Sequence, residues 1–246
     1  MLTSISRLTD RLSVGYTPQV ARTLNQATHS VRREAFVEAG QRLIQAKGFE
    51  QMSIQDVLDD LDASRGAFYH YFDSKQALLE AVVDRIVDAA LAAVLPAVDD
   101  PDLAAIPKLH ALFGGIAQWK TARKPLVLAL LQVWISDHNA IVREKLRRTL
   151  VARMTPVLAR IVGQGTVEGV FHATSPTATA EILVMLLQGF QDKATDLFIA
   201  RQANTIGYDA VEQAVAAQTE AFERLLGAAP GSIHIIDEAT LHEWFG

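Results

Sequence analysis

The stretch SIQDVLDDLDASRGAFYHYFDSKQALL, residues 53–79, carries three helix-start signals in quick succession. Ser53, Ser64 and Asp73 each stand just before a run with helical spacing, where a short polar side chain can accept from the free N–H groups of the first turn. Asp56 lies three residues after Ser53 and Gln76 three after Asp73, close to the capping-box pattern. Asp62 tolerates the left-handed backbone that a tight turn between two helices requires. Two short helices joined by such a turn, and followed by a third, leave no room for strand pairing. Ile54, Val57, Leu58 and Leu61 supply the apolar face of the first.

The sequence upstream fits the same plan. In VRREAFVEAGQRLIQAKGF, residues 31–49, Phe36, Ala39, Gly40 and Leu43 recur at helical spacing, and Lys47-Gly48 ends the run with a glycine suited to a left-handed cap. Downstream, Leu78, Val82, Ile86 and Ala90 form a stripe expected to fade before Pro96. Residues 32–75 therefore read as three short helices in a helix-turn-helix arrangement.

The segment SRGAFYHYF is the chemically dense part. On a helix, Phe68 and Phe72 lie one turn apart on one side and are expected in the core. Three polar rings in a row, Tyr69, His70 and Tyr71, cannot all face inward. Arg65 in the first turn can pair with guanine, and Gly66 and Ala67 let the helix come close to a groove. Tyr69, His70 and Tyr71 can reach phosphates and sugars. Lys75 at the next helix start, and Ser53 at the start of the second, can meet phosphates.

The residues Ala39, Leu43, Gly48-Phe49, Ser53-Ile54, Val57, Ser64, Gly66, Phe68 to Phe72, Ser74-Lys75 and Leu78-Leu79 together resemble the DNA-binding domain of the TetR family of bacterial transcriptional repressors. The resemblance covers about one fifth of the chain. It implies groove and phosphate contacts at Ser53, Ser64, Arg65, Gly66, Ala67, Tyr69, His70, Tyr71 and Lys75. The turn departs from the usual Ala-Gly-Val, reading Leu61-Asp62-Ala63. Residues 32–75 carry six Lys and Arg against eight Asp and Glu, a net of −2. General electrostatics therefore do not draw this module to DNA; placed cations, hydroxyls and helix ends must do so, helped by Arg7, Arg11 and Arg22.

The remainder also reads as helix, near residues 102–118, 124–136, 140–163, 177–201 and 208–227, with breaks at Pro101, Pro125, Gly163–Gly169, Ser175-Pro176 and Gly207. The fold class expected is all-α: a helix-turn-helix domain over 31–76 and a helical ligand-binding and dimerisation domain over 77–227. A flexible arm over 1–30, with a short helix near 17–27, precedes them. A tail over 228–246 follows, with a short helix from Asp237. The fragment Glu168–Phe190 resembles the family's approach to its first dimerisation helix. Ile182, Met185, Leu186 and Gly189 form one packing seam, and Val211, Val215, Gln218, Phe222 and Leu225 a second. Both seams are expected at a dimer interface, with packing inside one chain as the alternative. Phe113, Ile116, Trp119, Leu130, Trp134, His138, Met154 and Leu158, with Leu112, are the candidate liners of an adaptable apolar pocket. His138, Gln118 or His110 would supply a polar contact. Arg143–Arg153 is the most basic stretch and reads as a solvated helix face, with Glu144 and Arg148 spaced for an i,i+4 pair.

Composition narrows the alternatives. The 246 residues contain no cysteine, which removes disulfides, thiolate metal sites and cysteine nucleophiles and fits a reducing cytoplasm. The net charge of −5 offers no overall lure for nucleic acid or for an anionic membrane. No apolar run approaches the roughly 20 residues of a spanning helix, and the first 30 residues do not read as a secretory signal. No P-loop, nucleophile elbow or zincin motif is present, GQGTVEG fails the dinucleotide spacing, and the histidines are scattered. No enzyme activity, cofactor or metal is expected. The expected function is a sequence-specific regulator, a repressor released from its operator by a small apolar ligand. Its partners would be double-stranded DNA with inverted half-sites, a second copy of the chain, and that effector. The alternative, which the acidic Asp59–Asp62 stretch favours, is a helical ligand-binding or scaffolding protein with a weakened DNA-binding module.

Overall fold

The computed structural model describes residues 18–136 and 139–246, and among these it contains ten helices and no strand. They are α1 (Pro18–Lys47), α2 (Ile54–Leu61), α3 (Arg65–Tyr69), α4 (Lys75–Asp99), α5 (Ala105–Thr121), α6 (Lys124–Ile135), α7 (Ala140–Val167), α8 (Pro176–Gln202), α9 (Tyr208–Leu226) and α10 (Glu238–Phe245). The all-α expectation holds. Residues 1–17 and 137–138 lie outside the described part, and with them Arg7, Arg11 and His138.

Helix α1 is 30 residues long and begins at Pro18, so it runs on from the short helix expected near 17–27 into the helix expected from residue 31. Pro18 suits a first helical position, and no glycine or further proline interrupts the run before Gly40. The helix ends where expected, at Gly48, whose φ of 81° carries the left-handed cap. Two other boundaries differ from expectation. Ser74, not Asp73, caps α4, accepting from the Ala77 N–H at 3.0 Å. Helix α4 also continues through Pro96 to Asp99, losing only the backbone bond that residue 96 would have donated. Burial of Val94 and Val98 on either side of the proline (2% and 4% exposed) holds that last turn.

Helices α1 to α4 close over one apolar core. Phe68 is fully buried and meets Phe36 edge-on at 5.8 Å and Phe72 at 5.7 Å. Burying a ring of this size contributes about 1.5–3 kcal/mol. Val133 and Val142, from the ends of α6 and α7, join the same core. A second core is built by α4, α5, α7, α8 and α9 around Leu109, Leu112, Leu158, Ile161 and Phe222. Helix α4 runs through both: Leu78 to Val83 belong to the first and Leu91 to Val98 to the second. At the end of α7, Gly165 lies directly against the Phe171 ring, where a β-carbon would collide.

The chain's end is packed, not loose. Ile233 and Leu241 are buried, and α10 starts at the expected cap, Asp237, which accepts from the Thr240 N–H. Lys124 and Arg201 donate to the carbonyls of Glu243 and Phe245, and the Trp244 indole N–H donates to Thr121. Among the described residues no single helix is long and apolar enough to cross a membrane, and no three His, Asp or Glu side chains gather as a metal site.

Candidate nucleic-acid interface

Helix α3 is short, and its direction is fixed by caps on both sides. Ser53 and Asp56 form a complete capping box at the start of α2: the Ser53 hydroxyl accepts from the Asp56 N–H at 3.2 Å, and the Asp56 carboxylate accepts from the Ser53 N–H at 2.7 Å. Asp62 takes the left-handed turn conformation (φ 47°) with its N–H directed to α2 carbonyls. The Ser64 hydroxyl then accepts from the Ala67 N–H at 3.2 Å. With Phe68 and Phe72 sunk in the core, Ser64, Arg65, Gly66, Tyr69 and His70 are exposed. Tyr69 is half exposed (51%) despite its size. Ser53 is exposed at the start of α2, and Ala67 is partly covered.

Two residues assigned to phosphates behave differently. Tyr71 turns back toward α1, half-buried, with its ring 5.7 Å from Phe36 and 4.6 Å from His29. The Lys75 ammonium faces the α1–α2 connection, donating to the carbonyls of Phe49 (2.9 Å), Met52 (3.0 Å) and Glu50 (3.4 Å). It also lies 4.3 Å from the centre of the Phe49 ring. All three of its N–H groups have internal targets, so Lys75 pins α4 to the connection before α2. What α4 still presents outward is its first-turn N–H groups at Lys75 and Gln76.

The acidic residues nearby are largely matched. Asp60 pairs with Arg42 at 2.7 Å, and Asp56 pairs with Lys47 at 2.6 Å. The Lys47 ammonium, with the Ser53 N–H and hydroxyl, holds the Asp56 carboxyl well below the usual carboxylate range. Asp59 accepts from Gln55. Asp62 remains exposed at the turn.

Sequence reasoning missed the contacts made over long separations. His29, in the segment read as arm, and Arg33, at the start of the helix read from residue 31, cover the His70–Tyr71 pair and Phe72. Asn139, 2% exposed, donates to the Glu50 carboxylate at 3.2 Å and joins the α6–α7 corner to the connection that Lys75 holds. The uninterrupted helical composition before residue 31 was the available signal for the first; nothing local announces the second.

The expected pocket residues fall in several parts of the fold. Phe113, Ile116, Met154 and Leu158, with Leu112, pack in the second core, where Phe113 stacks on Phe222 at 5.8 Å. Leu130 packs against the first core. Trp119 carries the Arg123 guanidinium over its ring at 4.4 Å. Trp134 donates its indole N–H to Asp192, which also pairs with Arg147. Gln118 is exposed, and His110 is tied to Ser232 and His234 of the tail. A cleft of about 300 Å3 opens between α4 and α7, lined by Glu80, Val83, Asp84, Val142, Lys145, Leu146, Arg148 and Thr149.

The two dimer seams also part company. Val211 and Phe222 are buried within the chain, Val215 and Leu225 pack on its cores, and Gln218 donates to the Leu186 carbonyl. Parts of the α9 seam thus pack within the chain, against α5, α8 and α10, while Val215, Gln218 and Leu225 stay partly exposed. On α8, Ile182 (47% exposed), Met185 (56%) and Gly189 face outward, while Leu186 is partly buried.

A capped helix-turn-helix with a polar outer face on its second helix defines a DNA-binding class of protein. The family model of bacterial regulatory proteins of the tetR family matches residues 36–82, and that of the tetracyclin repressor-like C-terminal domain matches residues 132–208. The chain belongs to the TetR family of bacterial regulatory proteins. It is 27% identical over 144 residues to the HTH-type transcriptional regulator EthR of Mycolicibacterium smegmatis, covering 52% of this chain and 66% of the relative. Over 62 residues it is 34% identical to the HTH-type transcriptional repressor NemR of Escherichia coli K12, covering 25% of this chain and 31% of the relative. An uncharacterised HTH-type regulator of Lactococcus lactis is 42% identical over 55 residues, covering 22% of this chain and 28% of the relative. In each case the match spans less than two thirds of the relative. The crystal structure of a TetR transcription regulator from Haloarcula marismortui shares the fold, with a TM-score of 0.57 at 19% identity, covering 80% of this chain and 97% of that one.

Proposed function

We propose that this protein is a sequence-specific DNA-binding transcriptional regulator, a cytoplasmic repressor released from its operator by a small apolar ligand. The observation that carries the reading is the outer face of α3. Arg65, Gly66, Tyr69 and His70 are exposed on a short helix whose other side is locked into the core by Phe68 and Phe72. Among the described residues, a β-carbon added at Gly66 would meet only the Ser64 hydroxyl, at 3.9 Å. A bare position there serves something that approaches from outside. Arg65 is the base-reading candidate, and Ser53, Ser64, His70 and the N–H groups at the start of α4 are the phosphate contacts.

Inverted half-sites follow from a homodimer, with the two α3 helices about 34 Å apart, one turn of DNA. The outward stripe Ile182, Met185 and Gly189 on α8 is the surface proposed for the second copy. Large apolar side chains at such exposure, in a helical row, call for a cover. Met185→Glu places a charge in that row and should leave monomers of native helix content, seen by analytical ultracentrifugation. An unchanged dimer would move the interface elsewhere.

The effector would enter among the apolar side chains of α5, α7 and α8. Because α4 belongs to both cores, a shift in the second core changes the setting of the first. The effect is bounded by the ligand's differential affinity for the two arrangements. The test of the reading is selection from random duplex DNA by the purified protein at near-physiological salt. An enriched inverted repeat supports it. A folded dimer that enriches nothing supports the alternative, a ligand-binding or scaffolding protein.

A further inference from the structure

We propose that the cleft between α4 and α7 is a binding site for a free α-amino acid with an apolar side chain, its carboxylate met from α7 and its ammonium from α4. The site is separate from the space among α5, α7 and α8 proposed above for the effector, and its chemistry does not rest on the DNA-binding reading. The cleft, of about 300 Å3, lies beside the N-terminal part of both helices. Its floor is apolar: Val83, Val142 and Leu146 all belong to the first core. Pockets that enclose small molecules start at about this volume.

The cleft is a gap in a ladder. Helices α4 and α7 are joined by Glu80–Lys145 at 2.7 Å, Asp88–Arg153 at 2.6 Å and Asp99–Arg160 at 3.1 Å. Between the first two rungs, three polar groups have little to hold. Asp84 reaches Arg153 at 3.5 Å, since that guanidinium is committed to Asp88 and to the Asp84 carbonyl. Arg148 pairs with Glu144 on its own helix while its side chain is 80% exposed, and a pair so open to water contributes little. The Thr149 hydroxyl has no hydrogen-bond partner among the described residues, whereas those of Thr166, Thr195 and Thr219 donate back to the carbonyl four residues earlier. All three groups line the cleft.

The walls decide the charge of the ligand. Glu80 and Asp84 stand on α4, Lys145 and Arg148 on α7, so the cleft carries two carboxylates and two cations. A lone anion would set its charge against the α4 wall and a lone cation against the α7 wall; a ligand with both signs suits both. The two signs must also lie close together, because the walls already touch through the Glu80–Lys145 pair. An α-amino acid carries its ammonium and carboxylate on one carbon, with its side chain free to lie on the apolar floor. Arg148 can take the carboxylate through two parallel N–H bonds, Asp84 the ammonium, and Thr149 either group. Burial of the side chain supplies the remaining affinity.

Isothermal titration calorimetry of the full chain with L-leucine, with isocaproate, which lacks the amine, and with L-leucinamide, which lacks the carboxylate, tests the assignment. L-Leucine should bind saturably and at least about tenfold more tightly than either analogue, since each analogue leaves one charged wall without a partner. Arg148→Gln should weaken L-leucine about tenfold and leave L-leucinamide unchanged. Asp84→Asn should weaken L-leucine by a similar factor and tighten isocaproate. Circular dichroism melts confirm that the variants fold. Should Asp84→Asn loosen α4, Arg148→Gln carries the test by itself, because its ion pair lies within α7. No saturable heat below about 10 mM L-leucine overturns the site. So does binding of L-leucine that neither variant weakens, which would put the amino acid elsewhere in the chain, and so does an analogue that binds as tightly as L-leucine. None of these results bears on DNA binding, which the selection experiment reads separately.

Discussion

The two halves of the molecule fix their helix ends in different ways. In the N-terminal module α2, α3 and α4 each start with a serine, Ser53, Ser64 and Ser74, whose hydroxyl accepts from the helix it opens. In the middle of the C-terminal half, α5, α6 and α7 start at Ala104, Arg123 and Asn139 with no such bond. Helix α5 takes its cap from a distance: the Glu168 carboxylate, at the end of α7, accepts from the Ala105 N–H at 2.9 Å. The module that presents a surface has the starts of α2, α3 and α4 specified by the residues beside them. In the half proposed to answer a ligand, α8 and α10 are capped locally by Ser175 and Asp237, but α5 takes its cap from the end of α7, so a shift of α7 is felt by α5.

The largest effect that would break this comparison lies in the N-terminal core. Phe68→Ala should cost about 3–5 kcal/mol, seen in chemical denaturation, because the ring is fully enclosed by α1, α2 and α4 side chains. A loss below about 1 kcal/mol would mean that the module is not held by its own core.

Next comes Lys75→Ala. It removes three charge-assisted bonds to the connection between α1 and α2 and should cost about 1.5–3 kcal/mol. If Lys75 instead meets phosphate, stability will hold while the salt dependence of DNA binding flattens by about one unit of slope.

The smallest effects separate local from distant caps. Ser64→Ala should cost about 1 kcal/mol, with little dependence on pH because a hydroxyl does not titrate there. Glu168→Gln should behave otherwise. The Ala105 N–H first, then Gln164, hold the Glu168 carboxyl below its ordinary range. A depressed folded value supports the native state above the ordinary carboxylate value, and that support is lost as pH falls through the folded one. The gap between native and Glu168→Gln in thermal melts should therefore be present at neutral pH and close in acid. A gap that stays constant would remove the charge from the account.

What the sequence made legible follows the same division. The caps at Ser53 and Ser64, the left-handed Asp62 and the inward Phe68 and Phe72 were readable because each depends on residues within a turn or two. Helices α5 to α9 were placed within a few residues by proline, glycine and periodicity. The cap of α4 was misplaced by one residue because Asp73 and Ser74 are both capable acceptors, and burial of Leu78 and Leu79 is among what sets the register. Periodicity states that a face is covered and not by what: Val211 and Phe222 of the α9 seam are buried within the chain itself. The roles of Lys75 and Asn139, and the spread of the expected pocket liners over two cores, rest on contacts between distant residues that no local pattern carries.

The central claim is that α3 reads DNA through Arg65 from a rigid, locally capped platform. The direct measurement is the affinity of the native protein and of Arg65→Ala for the selected duplex and for its shuffled counterpart, at one salt concentration. Arg65→Ala should lose about 1–3 kcal/mol on the selected duplex and little on the shuffled one. An equal loss on both would make Arg65 a phosphate contact and contradict the claim.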